Sequence, residues 1–262
     1  MRVATVLRVL VGAVLVASAT SWAASPGHLE GTVPAAAHTP GAHGSFWTTD
    51  LWIYSQGATL IHLWFNRADE NNSDVDSVVV DLDQPVVALP DVVESVFGAD
   101  GVGSIHYLAD GPVVVVSRTS TVAGGGTPGA YGQTIPGLPL RAAAVPGTGQ
   151  AGTLRMVTDQ NVNSRANLGL VNQSGVETDI LVEVFTADGE PAAGDSSFTV
   201  SLEPYSMTQV NDVFSRLDPG QQRGLIVRAG ITSDDGAFLA YLSVVDDGTN
   251  DPAYQEAFRF GS

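Results

Sequence analysis

The sequence predicts an all-β protein: two tandem β-sandwich modules with short helical turns. Three observations predict it. Apolar runs rich in Val, Ile, Leu and Thr alternate with a period of two, as in Phe198-Thr199-Val200-Ser201-Leu202. A strand turns successive side chains to opposite faces, so this pattern makes one buried face and one solvated face. The runs are bounded by turn residues, drawn from 29 glycines, 14 prolines and many Asp and Asn, which is the punctuation of an all-β sandwich. Finally, the blocks recur in the same order in both halves of the chain.

Taken from the N-terminus, residues 1–23 read as a secretory signal peptide. Arg2 and Arg8 supply the positive region, Val9 to Ala19 the apolar stretch, and Ser21-Trp22-Ala23 a small-residue cleavage site. The apolar stretch is too short for a membrane span, and no later segment reaches that length. The mature chain is therefore expected outside the cytoplasm, extracellular or periplasmic, with no membrane insertion after cleavage. Module 1 is assigned to 24–122, a Gly/Pro-rich linker to 123–133 (Ala123-Gly124-Gly125-Gly126-Thr127-Pro128-Gly129-Ala130 at its start) and module 2 to 134–262.

Strands are expected at 77–82, 112–117, 198–202, 224–229 and 237–245. Helical turns are expected at Asp91 to Gly98 and Asn211 to Leu217, where a short polar residue opens each apolar turn. The repeat aligns Asp50-Leu51-Trp52-Ile53-Tyr54-Ser55-Gln56 with Asn167-Leu168-Gly169-Leu170-Val171-Asn172-Gln173. It then aligns 63–65 with 183–185, the two helical turns, 104–108 with 224–228, and 113–117 with 239–243.

Composition excludes several chemistries. The chain has no cysteine and no lysine; its 11 basic residues are all arginine, against 28 Asp and Glu. Disulfides, thiolate nucleophiles, lysine Schiff bases and P-loops are impossible with this inventory. A net charge of -17 opposes nucleic-acid phosphates and anionic membranes.

No Gly-x-Ser-x-Gly elbow is present. The five histidines, His28, His38, His43, His62 and His106, all lie in the first half without a zinc-site spacing. Two acidic loops have the composition of a calcium site: Asp69, Asp74 and Asp76 in one, Asp246, Asp247 and Asp251 in the other. Neither matches an EF-hand, and polar turns capped by their own Asp and Asn are the alternative.

Aromatic placement is the most informative signal. Alternation puts Trp47, Thr49, Leu51 and Ile53 on one face of a strand and Trp52 and Tyr54 on the other. In the following strand Ile61, Leu63 and Phe65 oppose His62 and Trp64. If the aliphatic faces form the core, Trp52, Tyr54, His62 and Trp64 line the outer face of one hairpin. Such a strip is a platform for sugar rings or a partner, unless the N-terminal segment or module 2 covers it.

Several blocks together resemble a group of uncharacterised secreted bacterial proteins built from tandem immunoglobulin-like β-sandwiches. These are Val33 to His38, Trp47 to Trp52, Tyr131 to Pro136, Asn167 to Asn172 and Ser243 to Pro252. The resemblance implies fold and export and carries no catalytic residues. The expected function is an exported, non-catalytic interaction or structural protein of the cell surface or extracellular matrix, with an extracellular protein or polysaccharide as partner. A carbohydrate-binding module using the aromatic strip and an exported hydrolase are the alternatives. No cofactor is expected beyond Ca2+ in the acidic loops.

Overall fold

The computed structural model describes residues 27–41, 44–122, 130–147, 151–160, 163–192, 194 and 197–259. The signal-peptide segment 1–23, His43 and linker residues 123–129 lie outside them. Among the described residues the chain is all-β, with antiparallel ladders, two short α-helices and a 3-10 turn at Leu140–Ala142.

The first unit contains β1 (His28–Pro40), β2 (Phe46–Ser55), β3 (Leu60–Arg67), β4 (Val78–Asp81), β5 (Val86–Leu89), α1 (Val92–Ser95), β6 (Gly101–Val122), β7 (Ala130–Pro136) and β8 (Leu138–Pro139). These eight strands form one hydrogen-bonded sheet, because β6 is shared between two layers. Its first half lies between β3 and β1, and its second half between β2 and β7. One layer thus reads β4-β3-β6-β1-β8 and the other β5-β2-β6-β7. Leu51, Ile53, Ile61, Leu63, Phe65, Ile105 and Val115 fill the space between them.

Asp110-Gly111-Pro112, a turn signal by composition, sits inside β6 where the strand changes layer. The Asp110 carboxylate accepts the Thr59 and Leu60 N–H groups and the Thr59 hydroxyl. These bonds tie the β2–β3 turn to the crossing and hold the carboxyl below its usual range.

The second unit contains β9 (Thr153–Gln160), β10 (Ser164–Asn172), β11 (Thr178–Phe185), β12 (Ser197–Leu202), β13 (Met207–Val210), α2 (Val213–Leu217), β14 (Gln222–Ile231), β15 (Phe238–Asp246) and β16 (Pro252–Glu256). Its two sheets read β12-β11-β14-β9 and β13-β10-β15-β16. Leu168, Leu170, Phe238 and Leu242 of one sheet meet Ile180, Val182, Val184 and Val227 of the other.

The two units therefore have the same strand order, layer for layer, with β6 split into β14 and β15. The repeat extends to a local device. Asp91 and Asp212, which open α1 and α2, both adopt left-handed backbone, at φ 42° and 45°. In each case an Asx side chain of the unit's second strand accepts that residue's N–H. Asp50 Oδ1 takes Asp91 N at 2.9 Å, and Asn167 Oδ1 takes Asp212 N at 3.0 Å. A backbone donor that the bend would leave unpaired is thereby satisfied.

Two sequence expectations are corrected. First, the boundary at 134 moves. β7 pairs with β6, β8 pairs with β1, and the second unit's first strand begins at Thr153. Tyr131 to Pro136 are an edge strand of unit 1, and composition could not show that the chain returns to its own sheet after the Gly-rich stretch. Second, the aligned repeat slips by one residue in two strands. Ser55 faces Val113 as Asn172 faces Phe238, so Val113 corresponds to Phe238 and not to Leu239. Likewise Leu63 is buried, whereas Glu183, aligned with it, lies on the outer face beside Arg228, so this block is also out of step. A slip of one exchanges the buried and outer faces.

The units are joined edge to face. Val171, Met207, Leu239 and Tyr241, on the outer side of the β13-β10-β15-β16 sheet, belong to the core of unit 1. The turn after β3 docks beside β13: Ala68 bridges Met207, and Asp69 N donates to Met207 O at 3.0 Å. Gly169 makes the close approach possible. A Cβ there would lie 1.9 Å from the Tyr241 ring, which rests on the bare backbone.

Candidate functional site

The structure separates the expected aromatic strip into two pairs. No ladder joins β2 to β3; they lie in different layers. Trp52 and Tyr54 project from the β5-β2-β6-β7 layer, 38% and 41% exposed. Val86 and Ala88 flank them on β5, and Val114 and Val116 on β6. His62 and Trp64 project from the opposite layer and continue into His106, with ring centroids 5.9 and 5.3 Å apart. The core lies between the pairs, so the single-hairpin face is not formed. Alternation identifies which side chains point outward but not which strands become neighbours, and the turn at 56–59 crosses between layers.

The acidic loops serve as joints. Asp69 accepts the Thr208 hydroxyl of unit 2. Asn72 accepts Arg67 N and donates to the Arg67, Glu70 and Tyr205 carbonyls, while Asp74 and Asp76 are exposed. Asp246 accepts Gly248 N, Thr249 N and the Thr249 hydroxyl, and the Thr249 bonds hold its carboxyl below its usual range. Asp247 pairs with Arg165, and Asp251 accepts Gly132 N of unit 1. Among the described residues, no group of three or more His, Asp or Glu is placed to hold a metal ion.

Among the described residues, Thr32, His106 and Glu30 form a hydroxyl–imidazole–carboxylate chain. Thr32 Oγ1 lies 3.3 Å from His106 Nδ1, and His106 Nε2 lies 3.2 Å from Glu30. Burial pushes the imidazole below its ordinary value despite Glu30. Thr32 is fully buried and donates to Gln173 Oε1 of unit 2 at 2.6 Å. A hydroxyl that no substrate can reach is a clasp between units, not a nucleophile. His62 Nδ1 contacts Ser77 Oγ at 3.1 Å.

Between the units lies a cleft of about 760 Å3. Trp47 on β2 and Tyr131 on β7 stand on the unit 1 side; Arg165 and Asn167 on β10, with Gln209 and Asn211 at β13, stand on the unit 2 side. Ala35, Ala36, Val102 and Val245 contribute apolar surface. Its position matches where ligand sites concentrate, at domain interfaces. Sequence reasoning missed it because its residues come from strands far apart in the chain. One signal was present: Trp47 shares the inward face of Thr49, Leu51 and Ile53, yet is only half-buried, so it extends past the end of the core into the cleft.

Comparison of the chain with protein-family models, with curated proteins and with solved structures returns no match. The described residues thus form a two-unit all-β chain with an open apolar face and an inter-unit cleft.

Proposed function

We propose that this chain is an exported, non-catalytic interaction or structural protein of the cell surface or extracellular matrix, built from two tandem immunoglobulin-like modules. In each unit the second strand pairs with the fifth, and the third with the sixth, the central crossing of an immunoglobulin-like sandwich. The flanks are exchanged: the first strand sits beside the sixth, and the strand following the sixth sits beside the second. The signal-like segment 1–23 supports export. Among the described residues no helix is long and apolar enough to cross a membrane.

One observation carries the interaction reading. The outer face bearing Val171, Leu239 and Tyr241 in unit 2 is covered by unit 1. The corresponding face of unit 1 bears Trp52, Tyr54 and Val86, 51% exposed in the case of Val86, and none of the described residues covers it. A contiguous apolar face of that kind signifies binding. The test is sedimentation of the purified protein with isolated cell envelopes and with purified insoluble polysaccharides, using a Trp52→Ala/Tyr54→Ala variant shown to be folded. Saturable retention of the wild type, lost in the variant, supports the reading. Retention on a pure polysaccharide alone assigns the face to ring stacking against sugars. Equal retention of both proteins, retention of neither, or turnover of a defined substrate overturns it.

A further inference from the structure

We propose that the cleft between the units binds a neutral oligosaccharide. The inference does not rest on the open face of unit 1. The first ground is charge. The chain carries 28 acidic residues, yet none of the described residues lining the cleft is Asp or Glu. Among the described lining residues Arg165 is the one cation, and Asp247 neutralises it. In a protein of net charge -17, an acid-free cleft offers an uncharged ligand polar contacts without carboxylate desolvation. An anionic ligand would meet one already paired arginine, and the field of the whole protein would repel it.

The second ground is the kind of polar group present. The lining carries the side-chain amides of Asn167, Gln209 and Asn211, each with polar atoms beyond those in its hydrogen bond here. Asn167 Oδ1 accepts the Asp212 N–H, which leaves its Nδ2 donors. Gln209 Nε2 donates to Asn211 Oδ1 at 2.8 Å, which leaves the Gln209 carbonyl and the Asn211 amide donors. A donor and an acceptor side by side suit neighbouring hydroxyls of a sugar, each of which both gives and accepts. The third ground is apolar. Trp47 and Tyr131 present aromatic surface, and Ala35, Ala36 and Val102 present aliphatic surface. These suit the C–H faces of a pyranose ring, while the size of the cleft admits several rings.

The test is titration calorimetry of the purified protein with neutral β-1,4-linked glucose, xylose and N-acetylglucosamine oligosaccharides and α-1,4-linked glucose oligosaccharides. An oligogalacturonate serves as the anionic comparison and an uncharged peptide of similar length as the other macromolecular class. One neutral glycan is expected to saturate at one site per chain. The oligogalacturonate should bind at least about tenfold more weakly. Gln209→Ala and Asn211→Ala, both at exposed positions, should each weaken binding about tenfold, with unchanged thermal unfolding. Trp52→Ala should leave the affinity unchanged. Absence of saturable binding by every neutral glycan overturns the proposal. So does binding that the two cleft variants do not weaken, binding that Trp52→Ala abolishes, or tighter binding of the peptide or the anionic glycan.

Discussion

Unit 1 and unit 2 differ most at equivalent positions of the second strand. Trp52 occupies the place of Gly169, and Tyr54 that of Val171. In unit 2 the sheet is buried on both sides, and glycine is required so that the Tyr241 ring can lie on the backbone. In unit 1 the same face is open, and two large aromatics stand on it. The outer face of the other layer differs too. Trp64 and His106 face each other in unit 1, where unit 2 has Glu183 and Arg228 as an ion pair, with the Arg228 guanidinium 4.6 Å over the Phe185 ring. One strand order thus supports one sheet face adapted to cover a neighbouring unit and another left available.

The largest expected effect tests that contrast directly. Gly169→Ala forces a methyl into the Tyr241 ring and should cost about 3 kcal/mol, read as a lowered urea midpoint. Trp52→Ala, at the equivalent place, should cost no more than about 1 kcal/mol. Comparable losses would mean that the two faces are not used differently.

The shared device comes next. Asp50→Ala and Asn167→Ala each remove the acceptor of a left-handed residue's N–H. Each should cost about 1 kcal/mol, additively, since the two sites share no partner. A strongly unequal pair would show that the repeat is geometric but not energetic.

A smaller effect distinguishes two histidines of unit 1, for which unit 2 has no counterpart. The hydrogen bond from His38 to Asp91 raises the His38 pKa above 6.5, against some burial and with help from the Asp91, Asp100 and Glu94 charges. Its stabilisation is complete below pH 6.5 and is lost as the pH rises through the raised value. Burial lowers the His106 pKa below 6.5, Glu30 opposing. Its stabilisation is present above pH 6.5 and is lost as the pH falls through the lowered value. His38→Gln should therefore cost more at about pH 5 than at about pH 8, and His106→Gln should flatten the acid loss of the wild type. Unfolding midpoints at the two pH values check both signs.

Much of this was legible in the residues. The period-two runs at 198–202 and 224–229 are strands, and the apolar turns after Asp91 and Asp212 are helices. The repeat is real in strand order, and Asp50 and Asn167 are in register. Pairing was not legible. His62 and Trp64 project from a different layer than Trp52 and Tyr54, because a turn of given length can close a hairpin or cross between layers. The slip between Leu63 and Glu183 arises because the aligned blocks share only Phe65 and Phe185, whereas a shift of one residue inverts the alternation that puts Leu63 inward and Glu183 outward. The cleft was invisible for a third reason. Trp47, Tyr131 and Asn211 meet only after two units have packed.

The sequence by itself determined the strand class, the faces of each strand, the duplicated order and the exclusion of thiol, lysine and phosphate-cradling chemistry. These depend on side-chain type and local period, which act over a few residues. Tertiary structure alone decided which sheet is covered and which is open, that β7 belongs to unit 1, and where an acid-free cleft forms. Those outcomes depend on contacts between segments up to about a hundred residues apart or more, such as Thr32 with Gln173, whose geometry is set when whole sheets bury their apolar faces together.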